Sequence, residues 1–219
     1  MKRVLVLFVL FTFSFQASAA LAADRYIGFK AGAAFLSSEA ELKDDWGFDT
    51  GKEDENFAQF GLGVMLGTTV VDLGSAKLRF ELENTIRFGS KEIESDYYAV
   101  KGKVKFTNST LAGVFLDFPI NEQATPYIGL NAGLLLFGYD AEITLNSWRR
   151  ITEDGVGGAV QGGLSAGFAY KLSPKWTMDL NARYLWSSSY TIEFDDWTRY
   201  KIDLTNDMGE VTLGFRYHF

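Results

Sequence analysis

Charged residues recur at alternate positions of several short segments, a spacing that would place them on one face of a β-strand. The segment "RFELENTIR" carries Arg79, Glu81, Glu83 and Arg87 in this phase. If that face is buried, its charges must pair, because an isolated buried charge is very costly. A solvated face of mixed charge is the alternative. The predicted interior ion-pair network consists of Arg79, Glu81, Glu83, Arg87, Lys103, Lys105, Asp179, Arg183, Glu210 and Arg216.

The charges of this network are expected to meet across neighbouring segments. Carboxylate chemistry is also open to these residues, but no spacing in the sequence selects a catalytic pair. The expected partners are Asp179 with Arg216, or Arg183 with Glu210, and Glu83 with Lys105.

Acid–base and nucleophilic catalysis commonly rely on histidine or cysteine. The chain has a single histidine, His218, which is the penultimate residue, and it has no cysteine. The alternation of the last segment directs His218 inward, and the neighbouring sequence offers it no serine or carboxylate pair. A structural role is therefore expected for His218. The sequence predicts no catalytic residue, no cofactor, and a protein that is not an enzyme.

One segment, residues 37–56, is strongly acidic and reads "SSEAELKDDWGFDTGKEDEN". Several carboxylates could together bind a hard divalent cation, which prefers oxygen ligands. Their spacing does not match the alternating ligands and fixed glycine of an EF-hand, so a solvated acidic loop is favoured and no metal site is assigned. The carboxylates concerned are Asp44, Asp45, Asp49, Glu53, Asp54 and Glu55.

The first 22 residues have the order of a secretory signal peptide: a basic start, an apolar run and a stretch of small residues. We place cleavage after Ala22, with Ala19 as the alternative, so that residues 23–219 form one domain. Without Lys2 and Arg3 the mature chain has 19 basic and 28 acidic residues, a net charge of −9. This acidity argues against a nucleic-acid partner, which requires a basic surface.

Apolar and polar residues alternate in eight segments, which predicts eight antiparallel strands. The last of them, "EVTLGFRYHF", alternates as far as Phe219. Long connections are predicted at residues 37–56, 89–99, 139–155 and 187–207, and short ones at 68–76, 119–125 and 173–175. The long loops therefore lie at one end of the sheet and the short turns at the other. The predicted fold class is all-β, an eight-stranded antiparallel barrel.

The alternation suits a soluble barrel with an apolar interior and also a membrane barrel with an apolar exterior. Three features favour the membrane barrel, and the first is the set of charges on the polar face that would pair in a buried interior. Glycines such as Gly28, Gly63 and Gly167 share the polar face, where they would make room in a narrow bore. The apolar face carries aromatic residues near both strand ends, as expected for the two interfaces of a bilayer. The two aromatic bands consist of Phe118, Tyr170, Trp176, Tyr217 and Phe219 near the short turns, and Phe35, Phe88, Tyr184 and Trp186 near the long loops.

Five segments, "LAGVFLDFP", "PYIGLNAGLLLFG", "VQGGLSAGFAYKLS", "WTMDLNARYLW" and "EVTLGFRYHF", follow one another in that order. With them the chain resembles the eight-stranded outer-membrane barrels of Gram-negative bacteria: the OmpA-type transmembrane domain and, more closely, the porin-like opacity and surface-antigen proteins. The resemblance implies an outer-membrane location, with short turns in the periplasm and long loops outside the cell. It also implies that the barrel-assembly machinery recognises Phe215, Tyr217 and Phe219 of the terminal strand.

Function is expected in the long loops, which present acidic and aromatic residues on a rigid scaffold. In one interpretation Trp46, Trp148 and Trp197 form an adhesive patch, and in the other they pack against neighbouring aromatics. The sequence thus predicts a non-enzymatic surface-interaction protein. Its expected partners are outer-membrane lipid, lipopolysaccharide bridged by divalent cations, the assembly machinery and an extracellular ligand. The alternatives are a narrow small-solute channel and a lipid-modifying enzyme.

Overall fold

A computed structural model describes residues 24–44, 49–95, 100–146, 149–193 and 200–219. The predicted signal peptide, residues 1–22, lies outside the described residues, as do Trp46, Trp148 and Trp197. Within the described residues, no helix is long and apolar enough to cross a membrane.

The described strands form one antiparallel sheet that closes on itself, because the first strand pairs with the last. The shortest strand, β8, pairs with the same neighbour as β7, so the two together occupy one of eight positions in the wall. The predicted eight-stranded antiparallel barrel is confirmed. The strands are β1 (Arg25–Asp44), β2 (Asp49–Asp72), β3 (Lys77–Ser95), β4 (Val100–Asp117), β5 (Ala124–Asn146), β6 (Arg149–Lys171), β7 (Trp176–Ser187), β8 (Tyr190–Glu193) and β9 (Tyr200–His218).

The register of the pairs defines the stagger of the barrel. Following paired residues once around the wall from Thr125 of β5, through Gly214 of β9 and Gly63 of β2, leads back to Leu135 of the same strand. The stagger is therefore ten residues over eight strands. Strands in such a barrel tilt by about 40° and enclose a bore just wide enough to be filled by side chains.

The apolar face of the strands lies on the outside of the barrel. Phe29 of β1 and Val64 of β2 keep 55% and 61% of their surface exposed, whereas Arg79 and Arg87 of β3 keep 2% and 0%. A soluble barrel would show the opposite distribution. The barrel is therefore built for an apolar surrounding, as the glycine and aromatic patterns predicted.

In β4 the structure departs from the predicted phase. A bulge between Val104 and Phe106 shifts the alternation. Val104 consequently lies inside the barrel and is buried, and the flanking Lys103 and Lys105 lie on the outer side. The Lys105 ammonium is 2.6 Å from the Asp140 carboxylate, and both side chains are partly exposed. The prediction that Lys103 and Lys105 join the interior network, with Lys105 facing Glu83, is therefore wrong.

The long connections are largely strand rather than loop. β1 runs to Asp44 and β2 begins at Asp49 within the predicted loop 37–56, and the other three long connections are shortened in the same way. The tip of each long hairpin falls among residues that the structure leaves undescribed. By contrast, the three short turns are where the sequence predicted them. One of these turns is closed by Asn121, whose side-chain oxygen accepts hydrogen bonds from the backbone N–H groups of Gln123 and Ala124 at 2.9 and 2.8 Å.

At the long-hairpin end the wall divides into two sheets, which together we call the crown. β2 and β3 pair up to Phe60 and Phe88, and β6 and β7 pair up to Gln161 and Ser187. Beyond these pairs, the described residues of β3 to β6 form one four-stranded sheet. β8, β9, β1 and β2 form the other.

Inward glycines leave space for large rings in the bore. A Cβ atom added at Gly67 would lie 2.1 Å from the Tyr26 ring, and one added at Gly167 would lie 2.3 Å from the Tyr127 ring. Such separations are far shorter than van der Waals contact, so either ring would have to move.

We therefore expect Gly67→Ala to lower the free energy of unfolding by about 1–3 kcal/mol, the usual effect of overpacking. The measurement is urea unfolding of the barrel in lipid vesicles. Gly209→Ala is the matched control, because a Cβ atom at Gly209 would have nothing within 4 Å. Equal losses for the two variants would contradict the role given to the glycine.

Candidate functional site

A cluster of charges and rings fills the bore near the short turns. The guanidinium of Arg79 donates to Asp117 through Nε at 2.9 Å, to Glu81 at 2.7 Å and to the Tyr26 hydroxyl at 2.8 Å. The Tyr26 hydroxyl in turn donates to Glu81. Arg79 also lies over the Phe115 ring, with 4.3 Å between the guanidinium carbon and the ring centroid. One arginine thus holds side chains from three strands together.

Arg216 organises the other side of this cluster. Its guanidinium pairs with Asp179, which also accepts a hydrogen bond of 2.9 Å from the Tyr127 hydroxyl. Asn181 donates to the same hydroxyl at 3.0 Å. The guanidinium carbon of Arg216 lies 5.1 Å from the centroid of the Tyr26 ring, a cation–π contact that joins the two halves of the cluster.

A second ionic cluster, which we call the upper cluster, lies farther along the bore toward the long hairpins. Arg183 donates to both oxygens of Glu83, at 2.8 and 3.0 Å, and also pairs with Glu210. Glu83 pairs in addition with Lys30, and Glu210 accepts from Arg87 at 3.0 and 3.2 Å. Each of the two carboxylates is therefore shared by two cations.

The buried charges of the two clusters balance. Among the described residues with buried side chains, five are cationic and five are anionic, and all ten take part in the contacts given above. Balance matters because desolvating a charge costs several kcal/mol, which only a close and well-bonded opposite charge offsets. The cations are Lys30, Arg79, Arg87, Arg183 and Arg216, and the anions are Glu81, Glu83, Asp117, Asp179 and Glu210.

Eight of the ten residues predicted for the network lie in these clusters. Both expected pairs between the last strands are present, Asp179 with Arg216 and Arg183 with Glu210. Lys30 was not predicted, although it occupies the same phase as Gly28 and Gly32. Asp117 also belongs to the clusters and is buried, although it is not one of the ten residues predicted. Glu83 binds Arg183 and Lys30 instead of Lys105.

Apolar side chains fill the bore at the long-hairpin end, where no core was predicted from the sequence. A first layer closes over the upper ionic cluster, and a second, larger layer lies between the two sheets of the crown. The first consists of Ala34, Leu36, Leu111, Leu185 and Met208. The second consists of Val104, Leu135, Phe137, Tyr139 and Ala159 from one sheet and Ile192, Ile202 and Leu204 from the other.

Tyr190 shows how aromatic residues beyond the barrel are used. Its ring meets Phe137 edge-on with centroids 5.4 Å apart, and it lies 6.2 Å from Tyr139. These contacts bring together residues of β5 and β8, one from each sheet of the crown. Tyr190 therefore packs against other aromatic residues of the crown.

His218 lies at the short-turn end between the first and last parts of the barrel. Its Nδ1 is 2.8 Å from an Asp24 carboxylate oxygen, and its Nε2 is 3.0 Å from the Thr177 hydroxyl. The hydrogen bond with His218 lowers the pKa of Asp24, a residue outside the strands. Sequence reasoning missed both neighbours because they are 194 and 41 residues away along the chain.

Among the described residues, no group of three or more acidic or histidine side chains is placed to hold a metal ion. Of the six carboxylates considered for cation binding in residues 37–56, Glu55 alone has a described side chain.

An apolar exterior, a charge-filled narrow bore and aromatic bands at both strand ends define a transmembrane β-barrel. The sequence pattern of the outer membrane protein beta-barrel domain matches residues 5–219. The chain belongs to this family and resides in the outer membrane of a Gram-negative bacterium. The short turns therefore face the periplasm, and the crown lies outside the cell.

Solved structures share the fold. The chain is similar to Neisserial surface protein A, at 18% identity and a TM-score of 0.51, over 91% of this chain and 100% of that one. It is also similar to the outer membrane protein OprG from Pseudomonas aeruginosa, at 17% identity and a TM-score of 0.53, over 90% and 96%. The outer membrane protease OmpT from Escherichia coli aligns at 10% identity and a TM-score of 0.52, over 89% and 97%. A comparison with curated protein sequences gives no match.

Removing one carboxylate of the upper cluster should be costly. In Glu210→Gln, Arg87 and Arg183 lose their shared anion, and we expect the free energy of unfolding to fall by about 3–5 kcal/mol. Urea unfolding in lipid vesicles measures the loss. Lys105→Met is the control, because its ion pair is partly exposed and is worth about 1 kcal/mol or less. A similar loss in both variants would show that the interior network is not stabilised as described.

Proposed function

We propose that this protein is a non-enzymatic surface-interaction scaffold, adhesin-like in its use of extracellular loops. The observation that carries the proposal is the crown. Its two sheets extend the barrel wall beyond the membrane and enclose an apolar layer of their own. Such a core holds the hairpins in a defined arrangement, and a pre-organised surface loses less entropy when it binds a partner.

The filled bore supports a scaffold rather than a channel. A solute on the barrel axis would meet the His218 region, two ionic clusters and two apolar layers in succession. Passing the upper cluster would require Arg183 to leave both Glu83 and Glu210, and breaking a buried ion pair is strongly unfavourable. A narrow small-solute channel is the alternative to this proposal.

The chemistry near His218 also supports a non-enzymatic role. Aspartate, histidine and a hydroxyl follow one another as in a hydrolytic triad, but the hydroxyl belongs to Thr177, which is buried at 9% exposure. The same contacts have a structural use. They connect Asp24, just before β1, to β7 and β9, next to the pair of strands that closes the barrel.

The proposed binding surface consists of the hairpin tips, which carry Trp46, Trp148 and Trp197. Tryptophan contributes disproportionately to binding energy at protein interfaces. The acidity of the same hairpins suits lipopolysaccharide as a second partner, with divalent cations bridging carboxylates to its phosphates. An extracellular ligand and the surrounding outer-membrane lipid complete the proposed partners.

A first experiment measures single-channel conductance of the refolded protein in a planar lipid bilayer. We expect no steady open level, because the bore is filled. A second measures adhesion of bacteria that display the chain to surfaces coated with collagen or fibronectin. We expect adhesion to at least one coating, reduced about tenfold or more in Trp46→Ala/Trp148→Ala/Trp197→Ala.

Heat-modified mobility in gel electrophoresis controls for assembly of the triple variant in the membrane. Steady conductance of the wild-type protein, together with adhesion that is unchanged in the triple variant, would contradict the proposed scaffold function and favour the channel function.

The last strand is proposed to serve a second purpose as the signal for the barrel-assembly machinery. Phe215, Tyr217 and Phe219 alternate on its outer face, and Phe219 is the most exposed of them, at 73%. Phe219 follows the last residue of β9, and its backbone N–H donates one hydrogen bond to the sheet, to the Arg25 carbonyl at 3.2 Å.

Deleting Phe219 should therefore lower the rate of outer-membrane assembly several-fold, while the stability of barrels already assembled changes little. Pulse-labelling followed by heat-modified gel mobility measures assembly. Phe35→Ala, which removes an outward ring at the other end of the barrel, is the control. Assembly of the deletion variant at the wild-type rate would contradict this role.

A further inference from the structure

In the part of the chain that the structure describes, polar side chains interrupt the lipid-facing surface of the barrel at one place. Among the described residues that face outward between the two aromatic bands, three are polar: Asn84 of β3 and Asn108 and Thr110 of β4. Asn84 and Thr110 are exposed, and Asn108 is partly exposed. Phe88 and Phe106 mark the extracellular side of these strands, and Phe80 and Phe118 mark the periplasmic side. The three residues therefore lie within the apolar belt.

The three side chains form one hydrogen-bonded group. The amide of Asn84 donates to the Asn108 oxygen at 3.1 Å and to the Thr110 hydroxyl at 2.8 Å, and Asn108 donates back to Asn84 at 3.2 Å. This arrangement uses both N–H bonds of Asn84. It leaves the second N–H of Asn108, the O–H of Thr110 and a lone pair on each amide oxygen without a partner among the described residues. Lipid chains offer no partner for any of them.

Small residues beside this polar group would allow another membrane-spanning segment to approach it closely. Ala112 follows Thr110 on the outer face of β4 and pairs with Ala132 of β5, so two small residues adjoin the polar group. Val64 and Leu134 flank it, as the register partners of Asn84 and Thr110. Asn84, Asn108, Thr110, Ala112 and Ala132 together are called the belt patch.

We propose that the belt patch is a lateral interface within the membrane and that its occupant is a second copy of this chain. Polar side chains and small residues are the features by which membrane-spanning segments associate. An asparagine offers both donors and acceptors, so the patch is complementary to its own copy. Two copies related by a two-fold axis along the membrane normal bring identical patches together, as an isologous dimer requires.

Site-specific cross-linking tests the interface, and the absence of cysteine from the chain makes single-cysteine reporters unambiguous. Leu134→Cys places a thiol beside the belt patch. Leu180→Cys places one on β7, across the barrel, at an outward position of similar exposure. With a short bifunctional thiol reagent in lipid vesicles, we expect at least five times more cross-linked dimer from Leu134→Cys. Equal yields from the two reporters would overturn the proposal.

A second set of variants separates association from barrel stability. Asn84→Leu/Asn108→Leu/Thr110→Val in the Leu134→Cys background should reduce the dimer to the level of Leu180→Cys. The urea midpoint in vesicles should not fall, because apolar side chains suit lipid. Ala112→Leu/Ala132→Leu keeps every polar group but adds bulk beside them, and should reduce the dimer as well.

Three outcomes would overturn the proposal. The first is a dimer that persists in both sets of variants. The second is a fall in the urea midpoint of the polar triple variant with unchanged dimer yield, which would show that the three residues only join β3 to β4. The third is cross-linking of Leu134→Cys in native outer membranes to a different protein instead of to its own copy.

Discussion

A bilayer provides no hydrogen-bonding partner for the peptide backbone, so a sheet that crosses it must have no open edge. The pairing of β1 with β9 satisfies this requirement, and much of the interior follows from it. Eight strands with a stagger of ten residues enclose a narrow bore. Rings fit only opposite glycines, as Tyr26 does at Gly67. Charges fit only when each has a close counter-charge, which explains five buried cations against five buried anions.

Outside the membrane the sheet no longer has to be closed, and the barrel wall divides there into the two sheets of the crown. Beyond Phe60 and Phe88, and beyond Gln161 and Ser187, neighbouring strands separate, because water can satisfy an open edge that lipid cannot. Where the wall has divided, the space between the two sheets of the crown is filled by apolar rather than ionic side chains. Apolar side chains stabilise the two sheets of the crown against each other by burial, as in a β-sandwich. The protein thus combines a membrane barrel with an ionic interior and an extracellular part with an ordinary hydrophobic core.

The sequence predicted those features that depend on local alternation. The number of strands, the outward apolar face and the phase of residues such as Arg183 and Glu210 all follow from a period of two. The ion-pair partners of residues across the bore cannot be predicted from this period. They depend on the stagger of the barrel, which is a property of all eight strands together. Glu83 reaches Arg183 on β7 and Lys30 on β1 for this reason. The neighbours of His218 and the division of the crown were missed for the same reason, since both arise from contacts distant in sequence.

β4 shows how a local irregularity can define the boundary between the two parts of the molecule. Without the bulge after Val104, an uninterrupted alternation would turn Lys103 and Lys105 into the bore and Val104 out to the surroundings. With it, Val104 joins the crown core and the lysines lie on the outside, where Lys105 meets Asp140. An outward ion pair is favourable in water or at headgroups but not in hydrocarbon. The apolar belt must therefore end below this level. Asn108 and Thr110, on the periplasmic side of the bulge, then lie within the belt, where polar groups call for a partner other than lipid.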